Sequence, residues 1–258
     1  MRYSVYKYFG TGNLGDAIQT IAMSRLLPGP LGGVDRGTSV GASADTLWIL
    51  NGWLGSNVLP SIAVKPLFAG IYVAQQHNIA WLRASPFSIG ARDPSTQELL
   101  SRHGMKSEVI GCATMTFNRY RGPRFGSYAV DVPESCGNSR AALSVTHEIS
   151  WEMQWPDQWK LAIHMLELYR RANIVFTSRL HVALPCLAFG TPVYLCDPLH
   201  GQPWDAAAGE RFSLARLLGM EFGRVNEICI NDMARKYMAF LERNLGISVK
   251  VGPPRFVE

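Results

Sequence analysis

Three short stretches of this 258-residue chain put polar or charged side chains where a β-strand hands over to a helix. In open α/β sheets ligands bind beyond the carboxyl ends of the strands, so these positions are where chemistry is to be sought. The first stretch is Gly10-Thr11-Gly12-Asn13-Leu14-Gly15-Asp16. It fits G-x-G-x-x-G, and Asp35 follows about 20 residues on, as in a dinucleotide site. Two features oppose a nicotinamide cofactor. Asp16 would compete with a pyrophosphate for the positive end of the helix dipole. Pro30-Leu31-Gly32-Gly33-Val34 also reads as a poor second strand on which to mount Asp35. Two readings remain: Asn13 or Asp16 caps the helix, or both line a cleft and one of them handles a hydroxyl proton. The second stretch, Ser88-Ile89-Gly90-Ala91-Arg92-Asp93, presents Arg92 at a strand end. Arg92 either pairs with Asp93 or another surface acid, which is worth little, or offers a guanidinium fork to a carboxylate or phosphate. The third is Thr177-Ser178-Arg179-Leu180-His181. Thr177 or Ser178 can cap the helix, leaving free backbone N–H groups at its start. With Arg179 and the His181 imidazole these make an anion site.

Strands and helices must alternate to place these stretches. The pattern predicts strands at Tyr3–Tyr8, Thr46–Leu50, Ala69–Ala74, Phe87–Gly90 and Glu108–Ile110, with helices at Asp16–Leu27 and Ser95–His103. After a break near Arg119–Phe125, containing Gly122-Pro123, a second series begins. It has strands at Tyr128–Val132, Ala142–Thr146, Ile174–Thr177 and Val193–Cys196, with Val225–Ile230 a strand or an extended segment. Its helices are Asp157–Arg171, Leu180–Phe189 and Asp232–Leu245. Short apolar runs rich in β-formers are the mark of buried parallel strands. The expectation is an α/β fold of two doubly wound, Rossmann-like domains, residues 1–121 and 125–258, facing each other across a cleft. The last helix is free to pack back on the first domain.

Composition narrows the classes. Hydrophobic residues are 47% and charged residues 17%, so the chain can bury a core and is not disordered. The net charge is +5, yet no block of five or six like charges occurs, so nucleic acid is not expected as a partner. The five cysteines, Cys112, Cys136, Cys186, Cys196 and Cys229, lack metal-ligand spacing and are expected as buried free thiols in a reducing compartment. The first eight residues are too polar for the apolar core of a signal peptide. Leu47–Val64 and Leu180–Cys196 are uncharged, but their Gly, Pro and Asn residues suit a globular core better than a membrane span. His77 and His147 follow predicted strands and could face the cleft or stand on the surface.

Several segments occur together in one order: Asn13-Leu14-Gly15-Asp16 with Gln19-Thr20, Gly90-Ala91-Arg92-Asp93, Gly111-Cys112-Ala113-Thr114, and Thr177-Ser178-Arg179-Leu180-His181 through Gly190-Thr191-Pro192. In this combination the chain resembles the polysaccharide pyruvyl transferase family. The resemblance implies a two-domain fold like that of GT-B glycosyltransferases. It implies phosphoenolpyruvate as donor and co-substrate, and two hydroxyls of a glycan or lipid-linked sugar as acceptor. The product would be a pyruvate ketal of a cell-surface glycan. It further implies Asp16 as candidate base and His181 as candidate acid or phosphate partner. Arg92, Arg179 and the amides near Leu180 would hold the donor, Asn13 would line the cleft, and His77 would stand on the donor side. The scheme demands no metal and no organic cofactor. The expected setting is cytoplasmic. The positive charge and the exposed Trp and Arg residues expected around Trp151–Trp159 would permit peripheral contact with the inner membrane face. The competing readings are a glycosyltransferase using a sugar nucleotide, with Glu148, Asp197 or Asp205 as ribose-binding carboxylate, and a glycan-binding remnant of the fold without activity.

Overall fold

The computed structural model describes residues 2–8, 10–54, 65–73, 79–83, 85–132, 141–196 and 212–258. The first series of elements is β1 Arg2–Lys7, α1 Leu14–Ser24, β2 Leu31–Asp35, β3 Thr46–Leu54, β4 Lys65–Val73, α2 Ile79–Leu82, β5 Ile89–Ala91, α3 Pro94–Arg102 and β6 Ser107–Val109. A 3₁₀ turn at Ala113–Thr116 follows. The second series is β7 Ser127–Val130, β8 Leu143–Val145, α4 Trp155–Arg171, β9 Ile174–Thr177, α5 Leu180–Phe189, β10 Val193–Leu195, α6 Ser213–Leu217, β11 Val225–Asn226 and α7 Asn231–Leu245.

Two sheets result, ordered β2-β1-β3-β4-β5-β6 and β11-β10-β9-β7-β8. All their pairings are parallel except β10 with β11. Both are doubly wound. In each, the strand order reverses beside the first strand, between β1 and β3 and between β7 and β9. Such switch points open a crevice at the carboxyl ends of the strands. The chain is thus an α/β protein of two Rossmann-like sheets, as the alternation of elements predicts.

Several details differ from expectation. Leu31–Asp35 is a genuine strand, paired with β1 from Tyr3↔Leu31 to Lys7↔Asp35. Its two glycines conceal it from propensity. One argument against a dinucleotide therefore falls, but Asp35 is occupied otherwise: its Oδ1 accepts from the Thr38 amide and hydroxyl, both at 2.8 Å. Of Val225–Ile230, expected as a strand or an extended segment, only Val225–Asn226 pairs as a strand, and it runs antiparallel. Among the cysteines, Cys112, Cys186 and Cys229 are free thiols and Cys229 is exposed. Cys196 is disulfide-bonded, with its partner outside the described residues. The expectation of free thiols throughout is corrected on that point.

Glycines shape the site end of the first sheet. Gly52 in β3 and Gly70 in β4 adopt φ of 81° and 76° where the strand register slips. At Gly70 a Cβ would lie 2.6 Å from the Gly111 carbonyl and 2.8 Å from the Tyr237 ring. That ring belongs to α7, whose Tyr237 hydroxyl donates to the Ala69 carbonyl at 2.9 Å. Gly70→Ala combines a left-handed backbone penalty with an unrelieved backbone clash. It should cost about 3 kcal/mol, read from urea unfolding midpoints; a cost below about 1 kcal/mol would contradict the close packing of α7 on β4.

The second sheet is bound to the first near the chain's end. Gly252 and Arg25 exchange backbone and guanidinium hydrogen bonds, and the Trp155 indole donates to the Val257 carbonyl at 2.7 Å. Trp155 and Trp159 lie in the core, so of the tryptophans in the 151–159 segment only Trp151 is exposed. The aromatic surface expected there for membrane contact is reduced to one indole. Among the described residues no helix is long and apolar enough to cross a membrane.

Candidate active site at the junction of the two sheets

The turns that follow β1, β5, β7, β8 and β9 converge. The β1–α1 turn is joined to the β8 turn as if to a further strand. Leu14 N donates to His147 O at 2.9 Å, Ile149 N donates to Gly12 O at 3.1 Å, and Asn13 bridges Glu148. Asn13 caps α1, its Oδ1 accepting from Gly15 N at 3.1 Å. Of the two readings for this residue, the cap is the contact observed.

Asp16 stands in the first turn of α1 and is 8% exposed. Gln19 Nε2 donates to its Oδ1 at 3.2 Å. Burial raises its pKa, opposed by the Arg36 charge, the nearby Thr11 hydroxyl, the Arg179 charge and the Gln19 bond. A carboxyl whose pKa is raised this way is a stronger base than an ordinary surface carboxylate.

Arg92 is 4% exposed, not a surface residue. Its Nε donates to Asp93 Oδ2 at 2.9 Å and its guanidinium lies 4.2 Å from the Tyr72 ring centre. Asp93 Oδ1 meanwhile caps α3, accepting from Thr96 N at 3.0 Å and the Ser95 hydroxyl at 2.8 Å. The expected pairing with Asp93 exists, therefore, but as a buried clamp that fixes the fork. Arg92 Nη2 is buried and has no hydrogen-bond partner.

Arg179 reaches across the second switch point. Its Nε pairs with Asp131 Oδ2 at 2.8 Å and its Nη2 with Glu148 Oε1 at 3.1 Å. Thr177 and Ser178 do not cap α5 as expected. The Thr177 hydroxyl donates to Val130 O and accepts from Arg179 N, and the Ser178 hydroxyl donates to Asp131 O. Helix α5 accordingly begins at half-buried Leu180 with no side-chain cap.

His181, one residue further, packs on Gly15. A Cβ at Gly15 would sit 3.2 Å from the His181 Cβ. Burial first, then the charge of Arg92 and the nearby His147, lower the His181 pKa to about 3. The imidazole is neutral at pH 7, and its Nε2 is buried without a partner. His147 is wholly buried, neither in the cleft nor on the surface. Its Nε2 is 2.5 Å from the Tyr169 hydroxyl, and burial lowers its pKa to about 4. His77 lies outside the described residues.

The structure thus brings Asn13, Asp16, Arg92, Arg179, Leu180 and His181 to one junction, linked by the contacts and charge effects above. Buried polar atoms are nearly always hydrogen-bonded, and among the buried atoms without a partner are Arg92 Nη2 and His181 Nε2, the Arg92 charge acting on the imidazole. Sequence reasoning missed Arg36, because β2 was not counted as a strand. It also missed Asp131, although it follows β7 and the strand-end rule points to it. Among the described residues no group of three or more His, Cys, Asp or Glu side chains stands ready to hold a metal.

Two parallel-dominated sheets whose switch points meet over a buried carboxyl, an imidazole and two arginines define a GT-B-like α/β protein. A model of the polysaccharide pyruvyl transferase family matches residues 70–200. The chain belongs to that family of transferases. A functionally uncharacterised protein of Klebsiella pneumoniae subsp. pneumoniae is similar in structure, with a TM-score of 0.50 and 14% identity over 85% of this chain and 92% of its own. That likeness concerns the fold alone. UDP-GlcNAc 2-epimerase of Methanocaldococcus jannaschii, solved with UDP-GlcNAc and UDP, aligns at a TM-score of 0.40 and 10% identity over 99% of this chain and 96% of its own. No curated protein sequence matches the chain.

Proposed function

We propose that this protein transfers the pyruvyl group of phosphoenolpyruvate to two hydroxyls of one glycan sugar, forming a ketal. Family membership supports pyruvyl transfer to a glycan. The observation that carries the donor is the pair of orphaned buried groups, Arg92 Nη2 and His181 Nε2, beside the uncapped start of α5. Phosphoenolpyruvate carries a carboxylate and a phosphate on a small frame, and guanidinium forks with helix-end amides are suited to both.

The chemistry balances within this set of groups. The methylene carbon gains a proton and becomes the methyl group. One sugar hydroxyl adds to C2 and gives its proton to Asp16. Phosphate departs from C2 with the bonding electron pair, stabilised by arginine charge. The second hydroxyl then closes the ketal on C2. Two hydroxyl protons are released in all: one makes up for the proton given to the methylene carbon and the other leaves with phosphate. His181 donates to the methylene carbon once the donor's negative charge offsets that of Arg92 and lifts the imidazole pKa.

Arg179 enters this scheme already paired. Asp131 is sheltered, whereas the Glu148 side chain is 77% exposed and its contact is the weaker one. The donor displaces Glu148 and leaves Asp131 to hold the fork. Thermal unfolding with phosphoenolpyruvate, a panel of sugar nucleotides and NAD(P) tests the reading. At 100 times its dissociation constant a specific ligand adds about 2.7 kcal/mol of stability. Phosphoenolpyruvate should raise the melting temperature in wild type, and Arg92→Ala and Arg179→Ala should lose that rise. A rise only with a sugar nucleotide would overturn the donor assignment.

A further inference from the structure

The first sheet places β1 between β2 and β3, so residues ending β2 and β3 meet over the end of β1. Arg36, just past β2, lies 5.2 Å from the Tyr8 ring centre and 5.2 Å from that of Trp53 at the end of β3. The contact ion pairs among the described residues all fall on other cations, so Arg36 is stacked without a contact partner, its charge acting on Asp16 from a distance. Trp53 is 37% exposed and Trp151 is 68% exposed. Trp151 is firmly placed. The Ile149 amide, two residues before it, is bound to the Gly12 carbonyl, and Trp151 Cε2 would be 3.1 Å from a Cβ on Gly12. Two exposed indoles and one guanidinium without a contact ion pair therefore stand around the β1–α1 turn that presents Asn13 and Asp16.

An indole left in water at the rim of a polar site has an obvious complement in the C–H face of a pyranose, since its ring is a broad apolar surface with a polar edge. The guanidinium fork has its complement in an oxyanion. We infer that Trp53, Trp151 and Arg36 form the acceptor subsite, and that it selects a hexose bearing a negative charge, as a uronate or a glycosyl phosphate. This rests on the proposed role of Asp16 as the base that receives the acceptor's hydroxyl proton.

The test is calorimetric titration of the full chain, without donor, using methyl β-D-glucuronide, glucose 1-phosphate and methyl β-D-glucoside. At least one charged sugar should bind about tenfold or more tightly than the neutral one. The charged sugar that binds better identifies uronate or phosphate as the source of the charge. Arg36→Gln should abolish the preference and leave the neutral sugar unaffected. Trp151→Ala should weaken every sugar by about tenfold while preserving the melting shift with phosphoenolpyruvate. Because Trp151 is so exposed, this variant keeps its fold. Equal binding of all three sugars, no binding of any, or an unchanged Trp151→Ala overturns the inference. Charged-sugar binding with no phosphoenolpyruvate shift in wild type would uphold this subsite and sink the donor reading instead.

Discussion

His181→Gln is expected to lower turnover by about 10²–10⁴-fold, the range for a positioned proton-transfer group, and Asp16→Asn should fall in the same range. The physical basis is the contrast between the two sites. Burial weakens Asp16 as an acid, opposed first by the Arg36 charge, and so makes its carboxylate a better acceptor of a hydroxyl proton. His181 is neutral when the site is empty, because burial and then Arg92 hold its pKa near 3. A phosphate dianion arriving between Arg92 and the imidazole reverses that balance, so donor binding should take up a proton near pH 6 to 7, about the ordinary imidazole range. Calorimetry in buffers of different ionisation enthalpy reads the uptake, and His181→Gln should eliminate it. Phosphate release in the presence of an acceptor reads the turnover. Either variant retaining more than about a tenth of wild-type turnover would falsify its assignment as a proton-transfer group. Retention of the phosphoenolpyruvate melting shift in both variants separates lost chemistry from lost binding.

Acid should destabilise the protein strongly, and His147 should account for about half of the effect. Its folded-state pKa is about 4 against 6.5 for an open imidazole, with burial as the main cause. Between those values the unfolded chain binds a proton that the folded one refuses. Stability therefore falls as pH drops below about 6.5 and levels off near the folded value. At 1.36 kcal/mol per unit, His147 contributes a loss of about 2–3 kcal/mol at pH 4.5. His181 adds a similar loss, reduced by its partial exposure, for a total of about 4–5 kcal/mol. That is a large share of the 5–15 kcal/mol typical of a folded domain, roughly speaking. Asp16 works in the opposite sense, since its raised pKa lets the folded state take up a proton before the unfolded state does. Urea midpoints at pH 7.5 and 4.5 measure the difference. His147→Gln loses the Tyr169 contact at both pH values, but the gap between them should shrink by about half. An undiminished gap would assign the acid sensitivity elsewhere.

Much of the architecture was legible in the chain. The bounds of β9 and α5 follow from a β-rich run, a polar hinge and an apolar helix ended by Gly190 in the left-handed conformation. Strand β2 was not legible, because Gly32 and Gly33 carry no side chains to signal a pleated face and the strand exists through its register with β1. The Arg92–Asp93 pair is adjacent in sequence and was readable as a pair. Its burial was not, since the Tyr72 ring that covers the guanidinium comes from another strand. His147 followed a predicted strand like a cleft residue, yet Tyr169 of α4 draws it inward.

By itself the sequence determined which residues stand at strand ends, because backbone propensity and apolar period act over a few neighbours. Tertiary structure alone decided that Asp131 and Glu148 hold the Arg179 fork, that His181 is neutral, and that Arg36 reaches over Tyr8 to Trp53. Those outcomes depend on charge partners and solvent exclusion supplied by segments far away in the chain, which no local pattern encodes.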